Sequence, residues 1–235
     1  MSNRLYDIGS VDTLEDGNGV RKMRKFFEAF SHNFAAESIN FYDKYWGQFP
    51  FIHSEKQVNS VVVPAIHKTT ENVWLEQPYK TNSEEQKFLD ITTIDGANIY
   101  LIELKHSWNS KTDNIASYTD SEWERAIEQI AELKKSHVKK FLNVDEYNIF
   151  RVALMVMPTF VTNDLEHNIC QKSSKEYAME LFNQYQQYRS KKYNANYVAT
   201  WKLDNHKKYK HGYKDDKEQV YPFISFVARA ERVFE

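Results

Sequence analysis

Cysteine is almost absent from this sequence: Cys170 is the only one. No disulfide can form within the chain, and a reducing compartment is its natural home. Proline and glycine are scarce as well, five and six in 235 residues, which argues against a disordered or collagen-like polypeptide. Long apolar runs are missing; none approaches the roughly 18 residues that a membrane-spanning helix needs. The opening Met-Ser-Asn-Arg-Leu-Tyr-Asp has no apolar signal core. These absences together predict a soluble, cytoplasmic protein with no membrane partner. An excess of charge of either sign is also lacking, since the net charge is only −2. Any nucleic-acid contact must therefore rest on a local basic surface. No Walker loop and no Gly-x-Gly-x-x-Gly motif occurs, so nucleotide-driven chemistry is not expected.

Apolar residues make up 41% and aromatics 15%, enough for a sizeable core. Residues 7–19 are acidic and contain glycine, and read as a loop or hairpin tip. From Val20 to about Trp46, Phe26, Phe27, Phe30, Phe34 and Ile39 recur near helical spacing. Ser54 and Gln57 fit a capping box opening a helix over 54–67, with Val58, Val61, Val62, Ala65 and Ile66 on one face. Pro64 should kink or end it. Three strand-like runs follow, Asn72–Tyr79, Gln86–Ile94 and Asn98–Lys105. A second box at Ser121 and Glu124 predicts a helix to about Leu142, bearing Trp123, Ile127, Ile130 and Phe141 on one face. Ile149–Met157 reads as a buried strand. Ser173 and Glu176 cap a helix through Tyr188, and Tyr197–Leu203 and Phe223–Phe234 read as further strands. The expected organisation is an N-terminal helical extension, residues 1–52, packed on an α/β domain of residues 53–235. Its central order is αβββαβ, a mixed sheet flanked by helices.

Three charges lie inside the apolar hairpin of residues 88–105: Asp90, Glu103 and Lys105. Charged residues seldom occupy core strands unless paired or bound to metal. A two-residue Asp95-Gly96 turn would pair Ile94 with Ala97 and set Asp90 opposite Leu101. Alternation then puts Asp90, Glu103 and Lys105 on one face, with the two acids as diagonal neighbours roughly 7–8 Å apart. That is close enough for both carboxylates to reach one Mg²⁺. Read structurally, the same residues would form a solvated face or a cross-strand ion pair.

Asp90 and the Glu103-Leu104-Lys105 triplet, set in αβββαβ order, resemble the PD-(D/E)xK nuclease superfamily, which has the restriction-endonuclease-like fold. The resemblance covers about residues 53–158, and Leu89 stands where the motif has proline. It implies metal-dependent phosphodiester hydrolysis, most naturally of DNA, in restriction, repair or phage defence. Asp90 and Glu103 would be the ligands of Mg²⁺ or Mn²⁺, and Lys105 would orient or help deprotonate the attacking water. A further family glutamate would fall on Glu55, which can also be read as an acid favoured by the helix dipole; Glu37 is a weaker alternative. Gln129 matches a glutamine some members carry on the following helix, and otherwise reads as a polar-face residue. A lone domain that cuts both strands would be expected to dimerise. The alternative is a catalytically silent nucleic-acid-binding or protein-interaction module on the same fold.

Other signals point less far. His167 and Cys170 have ligand-like spacing but no matching pair. His106 should point away from Lys105. The tract 202–217 mixes six lysines with two tyrosines, a composition able to hold phosphates and stack on bases, diluted by three aspartates.

Overall fold

The computed structural model describes residues 6–80, 85–110, 115–139, 147–162, 167–187, 190–213 and 217–233. Its elements in chain order are β1 (Asp7–Asp12), α1 (Val20–Asn40), α2 (Glu55–Thr70), β2 (Trp74–Lys80), β3 (Gln86–Asp95) and β4 (Asn98–His106). There follow β5 (Asn109–Ser110), α3 (Ser117–Ala131), α4 (Lys135–Lys139), β6 (Asn148–Thr162), α5 (Ser174–Gln186), β7 (Tyr197–Lys202), β8 (His211–Tyr213) and β9 (Lys217–Arg232). A π-helical turn, Phe41–Trp46, continues α1.

The strands form one mixed, open sheet in the order β1-β7-β9-β6-β4-β3-β2, with β5 on β6 and β8 on β9. β4 and β6 run parallel, joined through α3 and α4, as a crossover requires. β4 is buried at every residue because helices cover both faces. On one face α1 and α2 bring Phe26, Phe30, Phe34, Val61 and Ile66 against Tyr100, Ile102, Leu104 and Phe226. On the other, α3 and α5 bring Trp123, Ile130 and Leu181 against Ile99, Leu101, Met155 and Val227. Each such side chain contributes roughly 1.5–3 kcal/mol on burial. The expected α/β class, with a mixed central sheet flanked by helices, is present.

Several elements differ from expectation. Residues 7–12 are no loop: β1 pairs with β7 from Asp7↔Lys202 to Asp12↔Tyr197. Gly9 permits this edge to approach α5, since a Cβ there would lie 2.3 Å from the Lys175 amide nitrogen. Pro64 does not end α2, which runs on to Thr70 with its apolar face buried. Ser54 occupies the N-cap, but its hydroxyl meets the Gln57 side chain and caps no backbone N–H. The helix expected at Ser121 starts a turn earlier, at Ser117, and Ser121 Oγ donates to the Ser117 carbonyl at 3.0 Å. It closes at Ala131; Phe141 and Leu142, like Tyr188 and Phe234, lie outside the described residues. The third box is as expected: Glu176 accepts from the Ser173 amide at 2.7 Å, and Ser173 Oγ accepts from the Glu176 amide at 3.2 Å.

The hairpin register also shifts. Asp95 pairs with Asn98, and Gly96 and Ala97 form the loop. Gly96 carries φ +57°, a conformation strained for any L side chain. Asp95 stays in the ladder and pairs with Lys22 of α1 at 2.9 Å. Asn98 donates to the Gly19 carbonyl at 2.9 Å, which fastens the start of α1 to the same hairpin.

Candidate functional site

Shifting the register by two residues preserves which side chains share a face but changes who faces whom. Leu101 lies opposite Thr92, and extending the ladder puts Asp90 directly across from Glu103. Pairing stops at Ile91↔Ile102, however, so the two strands part at Asp90. The alternation of β3 breaks there too: Ile91 packs with the α1/α2 layer, whereas Leu89 packs with the α3/α5 layer. Alternate residues of a regular strand share a face, so the chain turns over between them. On the neighbouring β2, Glu76 holds φ +48° between its pairs with the same segment. Asp90 fills the gap with its side chain, accepting the Leu104 N–H at 2.8 Å.

Lys105 Nζ donates to Glu103 Oε1 at 2.7 Å and to the Leu104 carbonyl at 3.0 Å, and lies 3.9 Å from Asp90 Oδ2. Glu103 and Lys105 side chains are each only 5% exposed, while Asp90 is 36% exposed. The group is thus a buried ion pair with one carboxylate at its open side. Burial pushes the Glu103 carboxyl up, as do the Asp90 charge and a hydrogen bond shared with Asp90; Lys105 opposes them without prevailing. Burial alone would lower Lys105, but Glu103, Glu55 and Asp90 outweigh it and hold the ammonium above its ordinary value.

Glu55 joins the group electrostatically. It opens α2, half-buried, and its carboxyl is raised first by burial, with Lys105 opposing and Asp90 and Glu122 reinforcing. Glu122 and Arg125, on the first turns of α3, pair at 3.4 Å at the same mouth. Sequence reasoning missed both. The only signal was the acidic start of a helix, and it was read as a cap. Glu37 is not part of the group; it pairs with Lys68 and joins α1 to α2. Gln129 is exposed on α3, one turn beyond Arg125, and nothing in the geometry ties it to the carboxylates. His106 points to the opposite face, as expected. Its Nε2 donates to the Phe51 carbonyl at 2.7 Å, and burial lowers it to about 4. His167 Nδ1 accepts from the Ile169 amide at 3.2 Å, a local cap, and Cys170 is partly buried.

The donor set suits a hard divalent cation. Glu55, Asp90, Glu103 and Glu122 against Lys105 and Arg125 leave an excess of negative charge, concentrated where the Asp90 charge raises both the Glu103 and the Glu55 carboxyl. Among the described residues, no group of three or more His, Cys, Asp or Glu is placed to hold a metal ion.

The raised carboxyl has a consequence for the metal-free fold. A carboxyl whose folded pKa exceeds its unfolded one stabilises fully below the ordinary 4.5 and loses that contribution as pH rises through about 7. Glu103→Gln does not titrate. Its melting temperature relative to the unsubstituted protein should therefore rise as pH is taken from 4.5 to beyond 7. A gap independent of pH would show that Glu103 is not under this strain.

No helix among the described residues is long and apolar enough to cross a membrane. Compared with known proteins, the chain matches no family model, no curated protein and no solved structure.

Proposed function

We propose that the chain is a metal-dependent nuclease with a restriction-endonuclease-like core, hydrolysing phosphodiester bonds in nucleic acid, with DNA the favoured substrate. The observation that carries this is the meeting of Asp90, Glu103 and Lys105 where β3 parts from β4. The order α2-β2-β3-β4-α3-β6, setting aside the two-residue β5 and the short α4, supports it, because αβββαβ is the succession of that fold.

Asp90 and Glu103 would hold one Mg²⁺ or Mn²⁺ through hard carboxylate oxygens. Such an ion, when bound, would supply Lewis-acid polarisation of the scissile phosphate. The chain's own residues do the rest. An ammonium has three N–H donors. Lys105 spends two on Glu103 and the Leu104 carbonyl, leaving one for a phosphate oxygen or the attacking water. Its fixed positive charge would offset charge developing on the phosphorus oxygens, and its burial strengthens that interaction. Neighbouring carboxylates keep Lys105 protonated, which favours the role of charged donor over that of base. Glu55, at the mouth and beside Lys105, is placed to orient the water.

Thermal denaturation with added cation tests the metal part without requiring turnover. A ligand at ten times its Kd stabilises by about 1.4 kcal/mol, which for a protein of this size is a rise of about 3–6 °C. Mg²⁺ or Mn²⁺ should give such a rise, and the Asp90→Asn/Glu103→Gln double variant should not. Equal shifts in the two proteins, or none in the unsubstituted one, would refute the assignment.

A further inference from the structure

A groove of about 340 Å³ opens beside the α2 N-terminus, with Phe41, Trp46, Phe49 and His53 among its lining residues. That volume falls within the roughly 300–1,000 Å³ of small-ligand sites. Trp46 of the π-helical turn lines it and is 69% exposed, and Tyr45 of the same turn is 73% exposed. Trp46 meets Phe41 at 6.0 Å between ring centroids, with 30° between the ring planes. Large exposed rings on a helical turn do nothing for the core.

The groove adjoins the lysine-rich tract. Tyr209, buried within that tract, packs edge-on against Tyr42 at 4.8 Å and against Phe49 at 5.2 Å. Lys208 lies over the Tyr209 ring at 4.9 Å and pairs with Asp43 of the π-helical turn at 3.1 Å. Lys210 pairs with Glu218 at 2.6 Å. Both are exposed pairs, worth about 0–1 kcal/mol, so a polyanion can displace either acid. Lys44 and Lys207 are exposed, in the turn and the tract respectively. Lys214 to Asp216 lie outside the described residues.

The groove lies at the N-terminus of α2, the helix that Glu55 opens. His53 and Gln57, two residues either side of Glu55, line it. The short turn before them is pinned by the bond from His106 to the Phe51 carbonyl, immediately after Lys105 on β4. A strand lying in the groove would therefore pass the α2 N-terminus.

We infer that this groove holds unpaired nucleotides of the substrate: exposed rings stack on a base while the neighbouring lysines take its phosphates. This rests on the nuclease reading and adds the substrate form to it. Only an unstacked base offers a face to Trp46, whereas a closed duplex would use the lysines and leave the rings idle. The inferred substrate is thus single-stranded nucleic acid, or a duplex end or junction with a free strand.

The test uses the full chain in EDTA, with fluorescence anisotropy of a labelled short oligothymidylate and of a duplex of equal length. Stacking on one aromatic residue predicts that Trp46→Ala weakens single-strand binding about 5- to 100-fold. Duplex binding should change little. Trp46 is exposed, so circular dichroism should be unaltered; Tyr45→Ala provides a second variant on the same π-helical turn. Absent single-strand binding, unchanged binding by both variants, or equal losses on the two probes would overturn the inference. The two readings separate cleanly. Metal-dependent cleavage unaffected by Trp46→Ala strikes the groove alone, while Trp46-dependent binding without any cleavage strikes the nuclease reading and supports the groove.

Discussion

Lys105→Met and Asp90→Asn should each lower metal-dependent phosphodiester cleavage by at least about 10²–10³-fold, the scale of losing one electrostatic stabiliser of a transition state. Both substitutions are chosen to spare the fold. Methionine keeps the buried apolar stem of Lys105, and Glu103, already raised toward neutrality, can take a proton once the ammonium is gone. Asparagine keeps an oxygen for the Leu104 N–H that Asp90 accepts at 2.8 Å. Time courses at matched protein concentration, with circular dichroism as the control, read the effect. A purely structural ion pair predicts the reverse pattern, a change in stability with cleavage unaltered.

The second large effect concerns the layer beneath the site. Phe34 is fully buried and contacts Phe30, Phe51 and Phe226 at ring separations of 6.0, 6.1 and 4.9 Å. It thereby joins α1, the turn before α2 and β9. Phe34→Ala should cost about 3–5 kcal/mol, the range for removing a buried aromatic ring. For a two-state domain of this length the melting temperature would fall by about 6–20 °C. Denaturant or thermal unfolding measures it. A loss under 1 kcal/mol would mean that the aromatic layer closes over the cavity and does not hold α1 rigidly. Because the Phe51 carbonyl accepts from His106, loosening this layer should also reach the end of β4.

How much of this was legible in the residues depended on the range of the forces involved. The strands around Asp90 and Glu103 announced themselves, because apolar runs and a glycine turn are local signals. The register did not. Of Asp95 and Gly96 only Gly96 has positive φ, and Asp95, kept in the ladder, pairs with Lys22, far away in sequence. The shared face of the three charges survived the error, since a shift of two residues restores the same alternation. The break at Asp90 was invisible, because it involves a left-handed Glu76 on a neighbouring strand. β1 was missed for a similar reason. Its acidic, glycine-containing sequence is a poor strand alone and becomes one by pairing with β7. Ser121 looked like a cap because side-chain spacing cannot reveal that the helix had already begun at Ser117. Glu122 and Arg125 came to the mouth only through the packing of α3, and the lysine tract met the exposed aromatics only through Tyr209.

The most direct measurement is cleavage by the purified, unsubstituted chain of labelled single-stranded, double-stranded and branched DNA and of RNA, with Mg²⁺ or Mn²⁺ and with EDTA. The account predicts cleavage in the presence of the cation, strongest where a free strand is available, and none in EDTA. Intact substrates of every form in both cations, or cleavage that persists in EDTA, would contradict it.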